Sequence, residues 1–336
     1  HFNNGKTEKV KYYKFFYFPS KNKIITLINF FILYLFIIFK IDKNKNAIAI
    51  GVSLFPTLIC HTLKKQKKIK DYVYYNQDYY LPEKNLSSKI YCKVFEIFDH
   101  YLYLNCMKAW NSSIRLDKFR TKIPLRKKIG KTLILTNGFF NNFDETEKYN
   151  INSNEVTFVG SLSNNQKIEE LIEIIKILND RNFNLTLNIV GMGPLMERVR
   201  KKVIEEKMST KVRIFGFVED LYELRKIISR SVLCYCVYTD IKNDNSNIAS
   251  VGKLSLYTAI RRPTILSDHL VLSKYYKRFN CGILTNSQKK DILDKMEFFL
   301  KSKIERIKIQ KNLNKIRPIW VTERRYGKAF KNLEEL

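Results

Sequence analysis

The sequence predicts an α/β fold of two domains, each a parallel sheet flanked by helices. Three observations predict it. Short runs of β-branched and aromatic residues alternate with runs of helical period along nearly the whole chain, the pattern of a parallel sheet with helical crossovers. A segment crowded with Asn, Asp and Glu interrupts that alternation before the middle of the chain. The length, 336 residues and 40.0 kDa, is long for one domain and comfortable for two. With 45% hydrophobic and 13% aromatic residues, each half can bury an ordinary core, so disorder is not the default.

The first half is the looser one. Residues 9–18, KVKYYKFFYF, are aromatic and strand-like. The longest apolar stretch, 24–39, is interrupted by Thr26 and Asn29 and flanked by Lys21, Lys23, Lys40 and Lys43. It falls short of the about 20 apolar residues that a spanning helix wants, so a helix in the core or at a membrane surface fits better. NAIAIGVS (46–53) is a compact buried-strand run, followed by a helical segment through Leu63 and the basic KKQKKIK. DYVYYNQDYY (71–80) reads as a strand ending in a polar loop at Asn76, Gln77 and Asp78. Residues 90–104 have helical spacing, and CMKAWNSS (106–113) is a further strand with a Ser-rich exit.

The junction is LILTNGFFNNFDETEKYNINSNE (133–155), where Asn137-Gly138 favours a turn. Beyond it the pattern is cleaner. VTFVG, LTLNIVG, VRIFG, VLCYCV and PTILSD are five strands, and three of them end in glycine. Between the first two, Ile168, Leu171, Ile172, Ile175 and Leu178 fall on one helical face. Five strands alternating with helices make a doubly wound, Rossmann-type domain. The expected organisation is a first domain over 1–136, a linker over 137–154, a second domain over 155–318, and a closing helical segment over 319–336.

The balance of 61 basic against 32 acidic residues gives a net charge of +29. Such a charge attracts anionic lipid, nucleic acid or phosphorylated substrates. A compositional bias toward Lys, Asn, Ile, Tyr and Phe explains it equally well. No recognised DNA or RNA module is present and the charge is spread along the whole chain, which argues against specific nucleic-acid binding. The six cysteines have no CxxC or His-paired spacing, so they read as reduced core thiols and imply no metal.

In a doubly wound sheet, ligands bind beyond the carboxyl ends of the strands, where helix N-termini offer free N–H groups. Gly160, Gly191 with Gly193, and Gly216 lie at three such ends. GMGP (191–194) is not a GxGxxG fingerprint, and no acidic residue ends the following strand, so a nicotinamide enzyme is not expected and no cofactor is implied.

The series ILTNG, VTFVGSL, NIVGMGP, VRIFGFVED and GKLSLYTAIRRPTILSD, running from Ile134 to Asp268, resembles in order and spacing the family-4-like glycosyltransferases of GT-B architecture, glycosyl transferases group 1. IRPIWVTERRY resembles the closing segment of that family, and the first half matches more loosely. The resemblance implies two Rossmann-like domains facing each other. It implies a nucleotide-sugar donor, a glycan or lipid-linked acceptor, retention of configuration and no metal. A cytoplasmic place, peripheral at the inner membrane face and its anionic surface, would follow.

The same resemblance assigns donor-binding residues. Gly160, Ser161 and Lys167 would face the diphosphate, with Gly191 and Gly193 on the neighbouring loop. Gly216, Phe217 and Val218 would pack along the base. Lys253 and Leu254 match the Lys-Leu pair ahead of the donor-binding helix. Asp78 matches an Asp that faces the cleft and is the candidate catalytic or acceptor-side group. Two positions depart from the pattern: Leu256 stands where the family has a ribose-binding Glu, and Arg261 where it has a glycine. A binding-only or inactive member is therefore the competing expectation. The glycine-rich first loop of many relatives is not visible before Lys9, so a start truncated ahead of His1 is also expected.

Overall fold

The computed structural model describes residues 23–77, 86–121, 132–139, 143–240, 245–248 and 250–334. The strand-like run at 9–18 and the candidate Asp78 lie outside the described residues. The chain divides into two compact units, His1–Leu135 with Gly327–Leu336, and Thr136–Tyr326.

The first unit holds a four-stranded parallel sheet, in the order β1 (Ile48–Val52), β2 (Asp71–Asn76), β3 (Lys108–Asn111) and β4 (Thr132–Ile134). Its helices are α1 (Lys23–Lys40), α2 (Leu54–Lys65), α3 (Leu86–Asn105) and α4 (Ile114–Thr121). Strand alternation divides β2 between two layers. Tyr72 and Tyr74 send their hydroxyls to α3, donating to Leu102 O at 2.9 Å and Asp99 Oδ1 at 2.5 Å. Tyr75 faces Trp110 of β3 at 6.1 Å between ring centroids. His61 of α2 is buried between the hydroxyls of Tyr72 and Tyr101, each at 3.2 Å, and burial lowers its pKa.

A charged pair lies in the core of this unit. Arg120 and Asp99 are both fully buried and meet at 2.9 Å. Arg120 also donates to Asn111 Oδ1 at 2.7 Å and stacks on the Tyr74 and Tyr103 rings at 4.6 and 4.5 Å. α1 is the stretch that sequence reading left between core and membrane surface. Among the described residues no helix is long and apolar enough to cross a membrane.

The second unit holds a six-stranded parallel sheet built from β5 (Glu155–Val159), β6 (Thr186–Val190), β7 (Val212–Gly216), β8 (Ser231–Cys236), β9 (Thr264–Ser267) and β10 (Ile283–Thr285). Its order is β10-β9-β8-β5-β6-β7, the order of a doubly wound sheet that reverses between β5 and β8. The helices are α5 (Ile168–Asp180), α6 (Met196–Glu205), α7 (Leu221–Ser229), the short α8 (Asn245–Ile248), α9 (Gly252–Ala259), α10 (Ser273–Phe279), α11 (Lys289–Lys301) and α12 (Lys303–Ile316). α13 (Thr322–Glu334) closes the chain.

Central β8 shows why the runs read as they do. Leu233, Tyr235 and Val237 point into one core, with α5, α6 and α11, while Cys234, Cys236 and Tyr238 point into the other, with α9, α10 and α12. A strand covered on both faces has no polar face, so its sequence is a continuous apolar run. The predicted apolar face of α5, from Ile168 to Leu178, is buried in the first of these cores.

Two strands differ from expectation. The sequence indicates no strand at β4, inside the turn-rich junction, and none at β10; each has only three residues, too few to show a period. The segment expected as a linker belongs to the second unit from Thr136 onward. Thr146 N donates to Ser229 Oγ at 3.0 Å, and Tyr149 OH donates to Val232 O at 3.1 Å. Buried Arg262 binds Glu145 at 2.8 Å.

Candidate functional site

The carboxyl ends of β5, β6 and β7 form one ledge in the second unit. Gly160 N donates to Val190 O at 2.9 Å, Gly191 N to Gly216 O at 2.6 Å, and Leu162 N to Met192 O at 3.0 Å. The spacing demands glycine at two points. Gly191 has φ +134°, and a Cβ there would stand 1.9 Å from Gly160 O. At Gly193 a Cβ would stand 2.5 Å from Leu162 O. Glycine here lets adjacent loops approach closely enough to bond backbone to backbone.

Lys253, in the first turn of α9, reaches into the crevice where the sheet reverses. Its Nζ lies 4.1 Å from the Phe158 ring centroid on β5 and 5.0 Å from that of Tyr238 just beyond β8, and it donates to Gln166 Oε1. A Cβ on Gly160 would fall 2.9 Å from this ammonium, so Gly160 leaves the room that Lys253 occupies. Burial pulls the Lys253 pKa down to about 8 and pushes the neighbouring Cys236 thiol up to about 12. Tyr257, one turn further along α9, accepts from Val159 N at 2.8 Å and so pins the end of β5 to α9. Thr239 N donates to Asn165 O at 2.8 Å, tying together the loops that follow β8 and β5.

The remaining predicted residues are distributed around this crevice. Ser161 is exposed at the ledge. Lys167 caps α5 in a left-handed conformation, φ +51°, and its Nζ is bound to Glu170 at 2.6 Å. Phe217 is 72% exposed, with Val218 beside it on the loop after β7. Leu254 is fully buried in the core, where its carbonyl accepts from Thr258 and Tyr276. Its N–H donates to Val251 O at 3.2 Å, so both backbone groups and the side chain of Leu254 serve the fold. Arg261 has φ +55°, the left-handed region that favours glycine, and is held there by Asp144 and by Asn314 at 2.9 Å.

A cavity of about 460 Å³ opens on the other side of α9, within the same unit. Leu221, Leu256, Phe139 and Phe143 supply apolar and aromatic walls, and Asn137 and Tyr326 bring polar atoms. This is the size and character of a small-molecule pocket. Asn137 is oriented by donating to Ser250 O at 3.0 Å. Sequence reading took Asn137-Gly138 as a turn and as the end of the ILTNG fragment without giving it a site role, and it missed Gln166, Tyr257 and Tyr326. The Gln166–Lys253 bond spans 87 positions, so no local signal could reveal it. Among the described residues no cluster of His, Cys, Asp or Glu could hold a metal ion.

A doubly wound domain with a glycine ledge, a lysine at the switch point and an adjoining pocket has the layout of α/β proteins whose ligand crevice lies at the strand ends. The family model for glycosyl transferases group 1 matches residues 141–316, more than half of the chain, and the chain belongs to that family. No curated protein matches the chain by sequence. Among solved structures it is similar to sucrose-phosphate synthase from Thermosynechococcus elongatus, with TM-score 0.67 and 13% identity over 86% of this chain and 74% of that one. It is similar to HepE of Anabaena in complex with UDP, with TM-score 0.70 and 12% identity over 94% and 85%. It is also similar to a variant of TarM from S. aureus, solved with fondaparinux, alpha-GlcNAc-glycerol and UDP, with TM-score 0.65 and 13% identity over 90% and 58%. Each of these has the fold of glycosyltransferases of GT-B architecture.

Proposed function

We propose that this chain transfers a sugar from a nucleotide-diphosphate donor to a glycan or lipid-linked acceptor, with retention of configuration and without a metal ion, on the cytoplasmic side of the membrane. The observation that carries the reading is Lys253, a cation held half-buried at the crevice where the sheet reverses. In this reading the diphosphate lies along the ledge from Gly160 and Ser161 to Gly191 and Gly193. Lys253 stabilises the negative charge that develops as the sugar departs. Lys167 joins it by exchanging its bond to Glu170, a partly exposed ion pair worth at most about 1 kcal/mol. The nucleoside enters the cavity beside Leu256, with its base near Phe217 and Val218. UDP in the complexes of HepE and TarM supports a nucleoside diphosphate as the ligand class.

The test is calorimetry with UDP, GDP and ADP, then with their sugar conjugates, in the presence of EDTA. One nucleotide should bind, and Lys253→Ala should abolish binding. If no nucleotide binds, the reading fails.

Leu256 favours a second reading. A leucine cannot accept a ribose hydroxyl, so a protein that binds its ligand weakly and does not turn it over also fits this pocket. Binding of nucleotide sugar without release of nucleoside diphosphate, across a panel of glycan and lipid acceptors, would select that reading.

A further inference from the structure

The cavity beside α9 is walled in part by two phenylalanines, Phe139 and Phe143, that are held in different ways. Phe139 is pinned through its backbone, donating from its N–H to Trp320 O at 3.0 Å and accepting from Thr322 N at 2.8 Å. Phe143 belongs to no helix or strand, and among the described residues no backbone–backbone bond holds it. Three arginines hold it instead. Arg317 donates to Phe143 O at 3.3 Å. Arg225 lies over the Phe143 ring at 5.3 Å and donates to Asp144 O at 2.7 Å. Arg261 grips the Asp144 carboxylate with both terminal guanidinium nitrogens, Nη2 reaching Oδ2 at 3.2 Å, and Arg317 stands 3.6 Å from the same oxygen. Asp144 is 43% exposed, so a lone ion pair there would count for little; a two-pronged bond inside a network of arginines is the exception.

Arg261 sits where the backbone asks for glycine. At the end of α9, Arg261 N donates to Thr258 O at 3.1 Å and Arg262 N to Tyr257 O at 3.0 Å. Those two bonds, with φ +55° at Arg261, make the left-handed helix stop in which glycine is the usual residue. A longer side chain is strained there, and such strain persists where the surroundings compensate for it. The compensating contact is Asp144, which joins the C-terminal end of α9 to the residue that follows Phe143. Gly252, Ser255 and Leu256 of the same helix also line the cavity. We propose that Arg261 is a positioning residue: it clamps Asp144 to α9 so that Phe143 stands as a fixed aromatic wall before any ligand arrives. A wall ordered in advance spares the ligand the cost of ordering it. That the ligand is a nucleoside diphosphate rests on the donor reading above, whereas the clamp does not.

The test compares the full chain with Arg261→Gly, Asp144→Ala and the double variant. Glycine removes the backbone strain together with the guanidinium, so Arg261→Gly should melt within about 4 °C of wild type. Without ligand, hydrogen exchange within residues 143–149 should quicken about tenfold in either single variant, while exchange at Phe139 and Thr322 stays as in wild type. Affinity for whichever of UDP, GDP and ADP the wild type binds should fall about tenfold, the result of a wall in place one-tenth of the time. The double variant should bind no more weakly than either single one, since both changes cut the same bond. Unchanged exchange within 143–149 overturns the clamp. Faster exchange with unchanged affinity overturns its service to the cavity, and so do additive losses in the double variant. If the wild type binds no nucleotide, the donor reading fails by itself, and the exchange measurement still decides the clamp.

Discussion

Replacing Lys253 with Met should make the protein more stable and, in the same stroke, unable to hold a diphosphate. Burial lowers the Lys253 pKa from 10.5 to about 8. Below pH 8 the ammonium is charged in both folded and unfolded chains, and the folded state bears the whole cost of burying it. Between about pH 8 and 10.5 the folded chain has released the proton while the unfolded chain still binds it, so wild-type stability rises with pH across this window. The full drop corresponds to about 3 kcal/mol. Residual solvent contact and the rings of Phe158 and Tyr238 return part of it. A methionine of similar length should therefore stabilise the fold by about 1–2 kcal/mol near neutral pH and by almost nothing near pH 10.5. Urea unfolding of both proteins at several pH values measures the gap. A variant less stable than wild type at neutral pH, or a gap that does not close as pH rises, refutes the argument. A bound diphosphate should return the proton to Lys253, so above pH 8 binding by the wild type should take up close to one proton. Calorimetry in buffers of different ionisation heat reads that uptake.

Other outcomes can be measured independently. Gly191→Ala places a methyl group 1.9 Å from Gly160 O on a backbone at φ +134°; it should cost about 1–3 kcal/mol in thermal or urea unfolding and weaken nucleotide binding with it. Arg120→Met removes the guanidinium that neutralises buried Asp99 and should cost about 3–5 kcal/mol, with much of the loss recovered when Asp99→Leu is added. Leu256→Glu should tighten nucleoside diphosphate binding by about 1.5–3 kcal/mol, because a carboxylate lining the cavity can accept a hydrogen bond from a ribose hydroxyl; unchanged affinity would place the ribose elsewhere. All six cysteines are free and buried, and burial pushes Cys60 up to about 11 and Cys106, Cys236 and Cys281 up to about 12. A thiol reagent at pH 8 should therefore titrate almost none of them before urea is added and all six afterward.

The second unit was the more legible half because its central strands are buried on both faces and three of its strands end in glycine, so those runs are apolar or sharply stopped. β10 escaped because an edge strand of three residues carries no pattern. β4 was concealed inside a junction whose Asn and Gly residues argued for turns alone. At the site, glycines and lysines were visible because their chemistry is local. Their partners were not. Gln166 and Tyr257 acquire meaning only when the sheet order sets β5 beside β8, and Asn137 only when Ser250 orients it. Lys167 has a partner within three residues, Glu170, which a reading guided by phosphate chemistry passed over.

The first unit is assembled from two separated stretches of chain, since Gly327–Leu336 belong with His1–Leu135. Phe330 of α13 meets Trp110 of β3 edge to face, at 5.9 Å between ring centroids. During synthesis that contact can form only after the whole of the second unit has been made. Any fragment that stops short of Gly327 lacks the aromatic contact that ties the end of α13 to β3.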